Sequence, residues 1–133
     1  MFLDHLLNQG SAPVLEQMLQ FTDARAQVLG SDIVNASTPN FVQQDLSLDK
    51  FQSMLAEKVE QRDAGGAESA DFSDISSEVQ HPTRGILFHD GNNRSMEQLM
   101  TDQAKNTLMH NLAVELLRDQ YSTMEMALKE RVG

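Results

Sequence analysis

Apolar and small residues in the first third of the chain recur at alternating steps of four and three: Leu15, Leu19, Thr22, Ala26, Leu29, Ile33 and Ala36. That spacing is the seam of a coiled-coil-like helix. Ser11 can cap it and Pro13 suits its first turn, so the pattern predicts a helix over 11–38. Met18, Phe21 and Val28 widen the stripe on one flank, which predicts more than one packing partner. The helix meets a stop at Asn35-Ala36-Ser37-Thr38-Pro39. Proline keeps the residue before it out of the right-handed helical region. Asn40 tolerates a left-handed backbone, which suits the position after proline in a tight turn.

A second long pattern occupies 95–131. Ser95-Met96-Glu97-Gln98 forms a capping box at its start. Its stripe runs Met96, Met100, Gln103, Thr107, His110, Val114, Leu117, Tyr121, Met124 and Leu128. The first half of that stripe is polar, so apolar packing should be strongest from Val114 onward. Leu108, Met109, Leu112, Ala113 and Leu116 make a second face. The expected seam residues of the two helices are therefore Leu15, Leu19, Leu29, Val114, Leu117, Tyr121, Met124 and Leu128. The fold class expected is mainly α: two long terminal helices packed as an antiparallel coiled-coil-like pair, with a short, partly disordered middle segment.

The middle, 39–94, lacks such regularity. Ser47 or Asp49 can start a short helix with Phe51, Met54, Leu55 and Val59 on one side, and Asp63-Ala64-Gly65-Gly66-Ala67 should break it. From Glu57 to Gln80 seven acidic residues face two basic ones, with Val59, Phe72, Ile75 and Val79 as the large apolar groups. Such a segment buries too little to offset its ordering entropy and is expected to stay mobile until bound. The run Gly85-Ile86-Leu87-Phe88 can pair as a strand or dock on the helices, and the pattern does not choose.

At 133 residues the chain has room for one domain, spanning 1–133. An apolar content of 40%, without Trp, supports a modest core. The formal net charge of −10 argues against nucleic acid or an anionic membrane as partner, since both need clustered Lys and Arg. No cysteine is present for disulfide or thiol chemistry. The first basic residue is Arg25, so the amino terminus has no signal-peptide n-region. His5, His81, His89 and His110 are scattered, without metal-ligand spacing. His89-Asp90 reads as a surface turn and His110 as a seam residue bonded to a neighbour. No nucleophile elbow or phosphate loop is present. The expectation is no catalysis, no metal, no cofactor and no small-molecule substrate.

The stretch Leu29 to Phe41 resembles the amino-terminal signature of bacterial flagellar rod and hook proteins, Leu-Ala-x-Asn-Ile-Ala-Asn-Ala-x-Thr-Pro-Gly-Tyr. Ile33, Asn35, Ala36, Thr38 and Pro39 match it outright, and Arg25 and Leu29 fall where the family tends to carry Arg and Leu. Asp32, Val34, Asn40 and Phe41 stand in for Asn, Ala, Gly and Tyr. Asp90-Gly91-Asn92-Asn93 resembles the motif before the carboxy-terminal helix of the proximal rod protein, the FlgB family, with Arg94 where Val is expected and His110 where Tyr is expected. The short length fits that family better than the longer hook and distal rod proteins.

The resemblance implies an assembly motif of Ile33, Asn35, Ala36, Thr38, Pro39, Phe41, Gly91, Asn92 and Asn93. It further implies a structural subunit of the proximal rod that transmits torque and associates with itself in a helical array. Its partners would be the other rod proteins and the ring-to-rod adaptor. It would leave the cell interior through the flagellar type III export apparatus, without a cleaved signal peptide, for the rod in the periplasmic space. The alternative is a cytosolic helical adaptor or export chaperone, which the acidic charge and long seams permit.

Overall fold

A computed structural model describes residues 12–65, 73–80, 86–89 and 94–132. The elements follow as α1 (Ala12–Val34), β1 (Gln44–Leu46), α2 (Leu48–Gly65), α3 (Ser73–Gln80), β2 (Leu87–His89) and α4 (Met96–Val132). The terminal helices, α1 and α4, pack along each other. Their polar cross-contacts give the direction: Glu16 meets Tyr121, Thr22 meets His110 and Asn106, and Ala26 meets Gln103. Numbers rise along α1 as they fall along α4, so the pair is antiparallel, as the two patterns predict. At 1.5 Å per residue α4 is about 55 Å long and α1 about 35 Å.

The start of α4 follows its capping box. The Ser95 amide donates to Gln98 Oε1 at 3.0 Å and the Gln98 amide to Ser95 Oγ at 3.2 Å. Ser47 caps α2 in the same manner, accepting from the Lys50 amide at 3.2 Å. Ser11 lies outside the described residues. α1 ends at Val34 rather than 38: the Asn35 amide still bonds the Ser31 carbonyl at 3.0 Å, but the Ala36 and Thr38 amides turn to the carbonyls three residues back, of Ile33 at 3.3 Å and Asn35 at 2.9 Å. α2 runs to Gly65, further than the Asp63-Ala64-Gly65 break predicts.

The seam of α4 is one residue out of phase with the apolar stripe. Leu99, Gln103, Asn106, His110, Ala113 and Leu117 are buried or half-buried, in steps of four and three. Gln103, His110 and Leu117 belong to both series. Met100, Tyr121 and Leu128 do not, and stand exposed; Tyr121 and Leu128 keep 47% and 50% of their surface. The expectation that Tyr121 and Leu128 bury in the seam is corrected. The physical reason is that α1 presents backbone carbonyls as well as apolar side chains. Asn106 donates to the Thr22 carbonyl at 2.8 Å and Gln103 to the Ala26 carbonyl at 3.0 Å. Asn106 therefore takes the facing position that the apolar stripe gives to Thr107, and Leu99 the one it gives to Met100, a choice that apolarity alone does not reveal.

The main core lies on the other flank of α1, where Met18, Phe21 and Val28 widen the stripe. Phe21 stacks on Phe51 of α2 with ring centroids 4.2 Å apart and planes 13° from parallel. Leu46, Leu55, Ile75, Val79 and Ile86 close around them. The acidic segment is thus not a mobile linker throughout: Ser73–Gln80 is helical, with Ile75 and Val79 buried. Those two residues are one helical turn apart and enter a surface that α1 already supplies, so the segment's own composition underestimates what it can bury. β1 pairs antiparallel with β2 in the register Gln44↔His89, Asp45↔Phe88 and Leu46↔Leu87. The run from Ile86 does both things its pattern allows: Leu87 onward pairs, and Ile86 docks in the core. Two short strands are not stable alone; Leu46 and Ile86 anchor these.

Candidate assembly surface

The stop after α1 is a built turn. The Thr38 amide donates to the Asn35 carbonyl at 2.9 Å, Thr38 Oγ1 to Asn35 Oδ1 at 3.2 Å, and the Phe41 amide to the Thr38 carbonyl at 3.3 Å. Asn40 has φ 64°, the positive angle that a type II turn, with proline at its second position, requires at its third. Ala36, Ser37, Thr38, Pro39 and Asn40 are exposed, while Ile33, Asn35 and Phe41 are half-buried. The motif therefore presents small side chains and backbone at one tip of the helix pair. Val34 and Val42, both exposed, flank it.

Carboxylates and guanidinium groups hold that tip. Buried Asp32 accepts from the Gln44 amide at 3.0 Å, which closes the loop from the end of α1 to β1. Arg25 grips Asp45 with two bonds, Nε to Oδ1 at 2.9 Å and Nη2 to Oδ2 at 3.1 Å. Arg94 Nη1 reaches Asp45 Oδ2 at 3.1 Å and Asp102 Oδ2 at 2.7 Å. The four charges cancel, and they bind α1, β1 and the start of α4 into one unit. Burial works to lower the Arg94 pKa, but the hydrogen bonds and charges of Asp102 and Asp45 outweigh it and leave the group above its ordinary value. Gln43 completes the junction: Oε1 accepts from the Arg94 amide at 2.8 Å and Nε2 donates to the Arg94 carbonyl at 3.0 Å. The chain just after the first motif is thereby bonded to the chain just after the second.

Along the helix pair, Thr22 Oγ1 and His110 Nδ1 lie 2.8 Å apart. The Thr22 hydroxyl already reaches the Met18 carbonyl at 2.9 Å, so a donating Nδ1–H satisfies both oxygens. Leu15 and Leu29 are buried; Leu19, Val114, Leu117 and Met124 are half-buried. Gly91, Asn92 and Asn93 lie outside the described residues, as do His5 and His81. Among the described residues no cluster of three or more His, Asp or Glu side chains could hold a metal. No helix among them is long and apolar enough to cross a membrane.

The chain is 26% identical over 126 residues to the flagellar basal body rod protein FlgB of Bacillus subtilis (strain 168), a match that spans 92% of this chain and 95% of that protein. It is 29% identical over 133 residues to the flagellar basal body rod protein FlgB of Yersinia enterocolitica, across 91% and 95%. Both matches support assignment of the chain to the FlgB family. No family model matches it, and no solved structure does.

Within the FlgB family pattern, Arg94 is the departure that the structure explains. An apolar residue there could not pair with Asp45 and Asp102. The junction residues Gln43, Asp45 and Asp102 escape a sequence reading because each is an ordinary polar residue in its own neighbourhood. The usable signal was the unexpected Arg itself, since a half-buried guanidinium demands carboxylates within reach.

Proposed function

We propose that the protein is a structural subunit of the flagellar basal body rod, in its proximal part. The observation that carries this reading is the match to two FlgB proteins over nine-tenths of the chain. The geometry supports it. A turn of small exposed residues caps the end of a long helix pair, and the junction behind it is rigidly bonded. α4 also carries apolar residues that α1 does not cover, including Met100, Met126 and Leu128. Such faces favour association over an isolated monomer. Head-to-tail contacts that do not close produce a helical array, and an array of stiff helix pairs transmits torque. The partners proposed are other rod proteins, the ring-to-rod adaptor and further copies of this chain. Export through the flagellar type III apparatus to the periplasmic rod, without a cleaved signal peptide, completes the proposal. A purely structural subunit has no catalytic step.

The test is complementation of a strain lacking the gene. The wild-type chain should restore swimming and co-fractionate with purified basal bodies. Pro39→Ala should fold as the wild type, since Pro39 is exposed and donates no hydrogen bond. It should nevertheless leave the rod unbuilt, because the end of α1 is no longer restrained. Absence of the wild-type chain from basal bodies would overturn the reading, and would favour the adaptor or chaperone instead.

A further inference from the structure

On α4, the side turned away from the seam carries Leu108, Leu112 and Leu116, which keep 69%, 56% and 45% of their surface exposed. They stand at successive steps of four and so form one short stripe. The residues that continue the stripe are arranged symmetrically about Leu112. Lys105 lies three before Leu108 and Asp119 three after Leu116; Thr101 lies four before Lys105 and Thr123 four after Asp119. At 3.6 residues per turn all seven fall within about 80° of the helix circumference. All are exposed. The two threonine hydroxyls are satisfied within the helix, each donating at 2.8 Å to the carbonyl four residues earlier. Lys105 and Asp119 make no ion pair among the described residues. The spacing is palindromic while the charge changes sign across its centre.

A two-fold interface needs that combination, because residue i must meet j where j meets i. We infer that α4 pairs with α4 of a second copy of this chain, antiparallel, about an axis through Leu112. Leu112 then meets its own counterpart, Leu108 meets Leu116 of the second copy, and Lys105 meets Asp119 at both ends. A parallel, in-register pairing would instead set Lys105 against Lys105 and Asp119 against Asp119. The repulsion of like charges selects the antiparallel form. The contact spans about 33 Å of a single helix on each side. Stable interfaces bury about 800 Å² per partner, and one helix against one helix stands at the small end of that range. The pair is accordingly weak and concentration-dependent. It is closed, so it is distinct from an open array of rod subunits, and it stands whether or not the rod reading holds.

The chain has no cysteine, which permits a direct test on the full-length protein. Leu112→Cys should form a disulfide-linked dimer under mild oxidation, faster than an exposed control, Glu130→Cys. A mixture of Leu108→Cys and Leu116→Cys should give the mixed dimer at least about tenfold faster than Leu108→Cys alone, a ratio set by the free-energy gap between the two registers. In sedimentation, Lys105→Asp and Asp119→Lys should each weaken dimerisation about tenfold by turning two attractive contacts repulsive. The double variant should restore it. Circular dichroism of each variant should match the wild type, as every changed side chain is exposed. Equal cross-linking by Leu108→Cys alone, no excess over the Glu130→Cys control, or failure of the double charge swap to restore association would each overturn the inference.

Discussion

Asn40, at φ 64°, shows how one residue constrains the exit from α1. A β-branched side chain resists that angle and should lose about 1–2 kcal/mol there, so Asn40→Val should unfold several degrees below the wild type. Asn40→Gly should be nearly neutral; thermal denaturation of the three proteins checks both. Tyr121 makes a different point. Its ring is half exposed, yet its hydroxyl donates to Glu16 Oε1 at 2.7 Å and ties α4 to α1. That hydrogen bond, then partial desolvation, then the Glu16 charge hold the phenol above its usual 10.0. A group whose folded pKa is raised contributes its full stability below the unfolded value and loses it as pH climbs through the folded one. Above about pH 10 the wild type should therefore lose stability that Tyr121→Phe does not lose. The difference between their melting curves across that alkaline window is the measurement.

At the scale of elements, most of the secondary structure was legible because its causes are local. The capping box at Ser95, the cap at Ser47 and the proline stop each act within one turn of chain. The phase of α4 was not legible, since it depends on which carbonyls α1 presents to Gln103 and Asn106. The junction of β1 with both helices was equally hidden, because Arg25, Asp45 and Arg94 meet across sequence separations of 20 and 49 residues. Its weight can be measured. Removing one partner of a buried pair costs about 3–5 kcal/mol. Arg25 and Arg94 keep some contact with water and Arg94 retains Asp102, so Asp45→Asn should fall at the low end, about 3 kcal/mol. Denaturant unfolding gives that number. Asp102→Asn, on the more exposed arm of the network, should cost less.

Considered whole, the molecule has two packing interfaces on one helix. α1 meets α4 along a seam rich in polar contacts and meets the middle segment through Phe21, which stacks on Phe51. The acidic helix α3 closes that second interface, and Gln17 reaches it directly, donating to Ser76 Oγ at 3.0 Å. Ile75→Asp would bury an unpaired carboxylate in this core. It should disorder α2, α3 and the strands while the helical signal from α4 largely persists. Ser77→Ala, exposed on the same short helix, should leave stability within about 0.5 kcal/mol of the wild type. Amide exchange resolved by residue distinguishes the two outcomes. If Ile75→Asp left exchange in α2 unchanged, α3 would not be part of the core.

By itself the sequence determined the two long helices, the capped start of α4, the turn at Pro39 and the family resemblance, later supported by relatives matching nearly the whole chain. These features depend on spacing, caps and turn chemistry that act over a few residues, so they survive without knowledge of the partner. Tertiary structure alone decided which face of α4 enters the seam, that Ile75 and Val79 join a core, and that Gln43 grips Arg94. Each of those depends on a surface contributed by distant chain. An apolar count cannot see a carbonyl on another helix, and an acidic segment's composition cannot report the cleft that receives its two buried side chains.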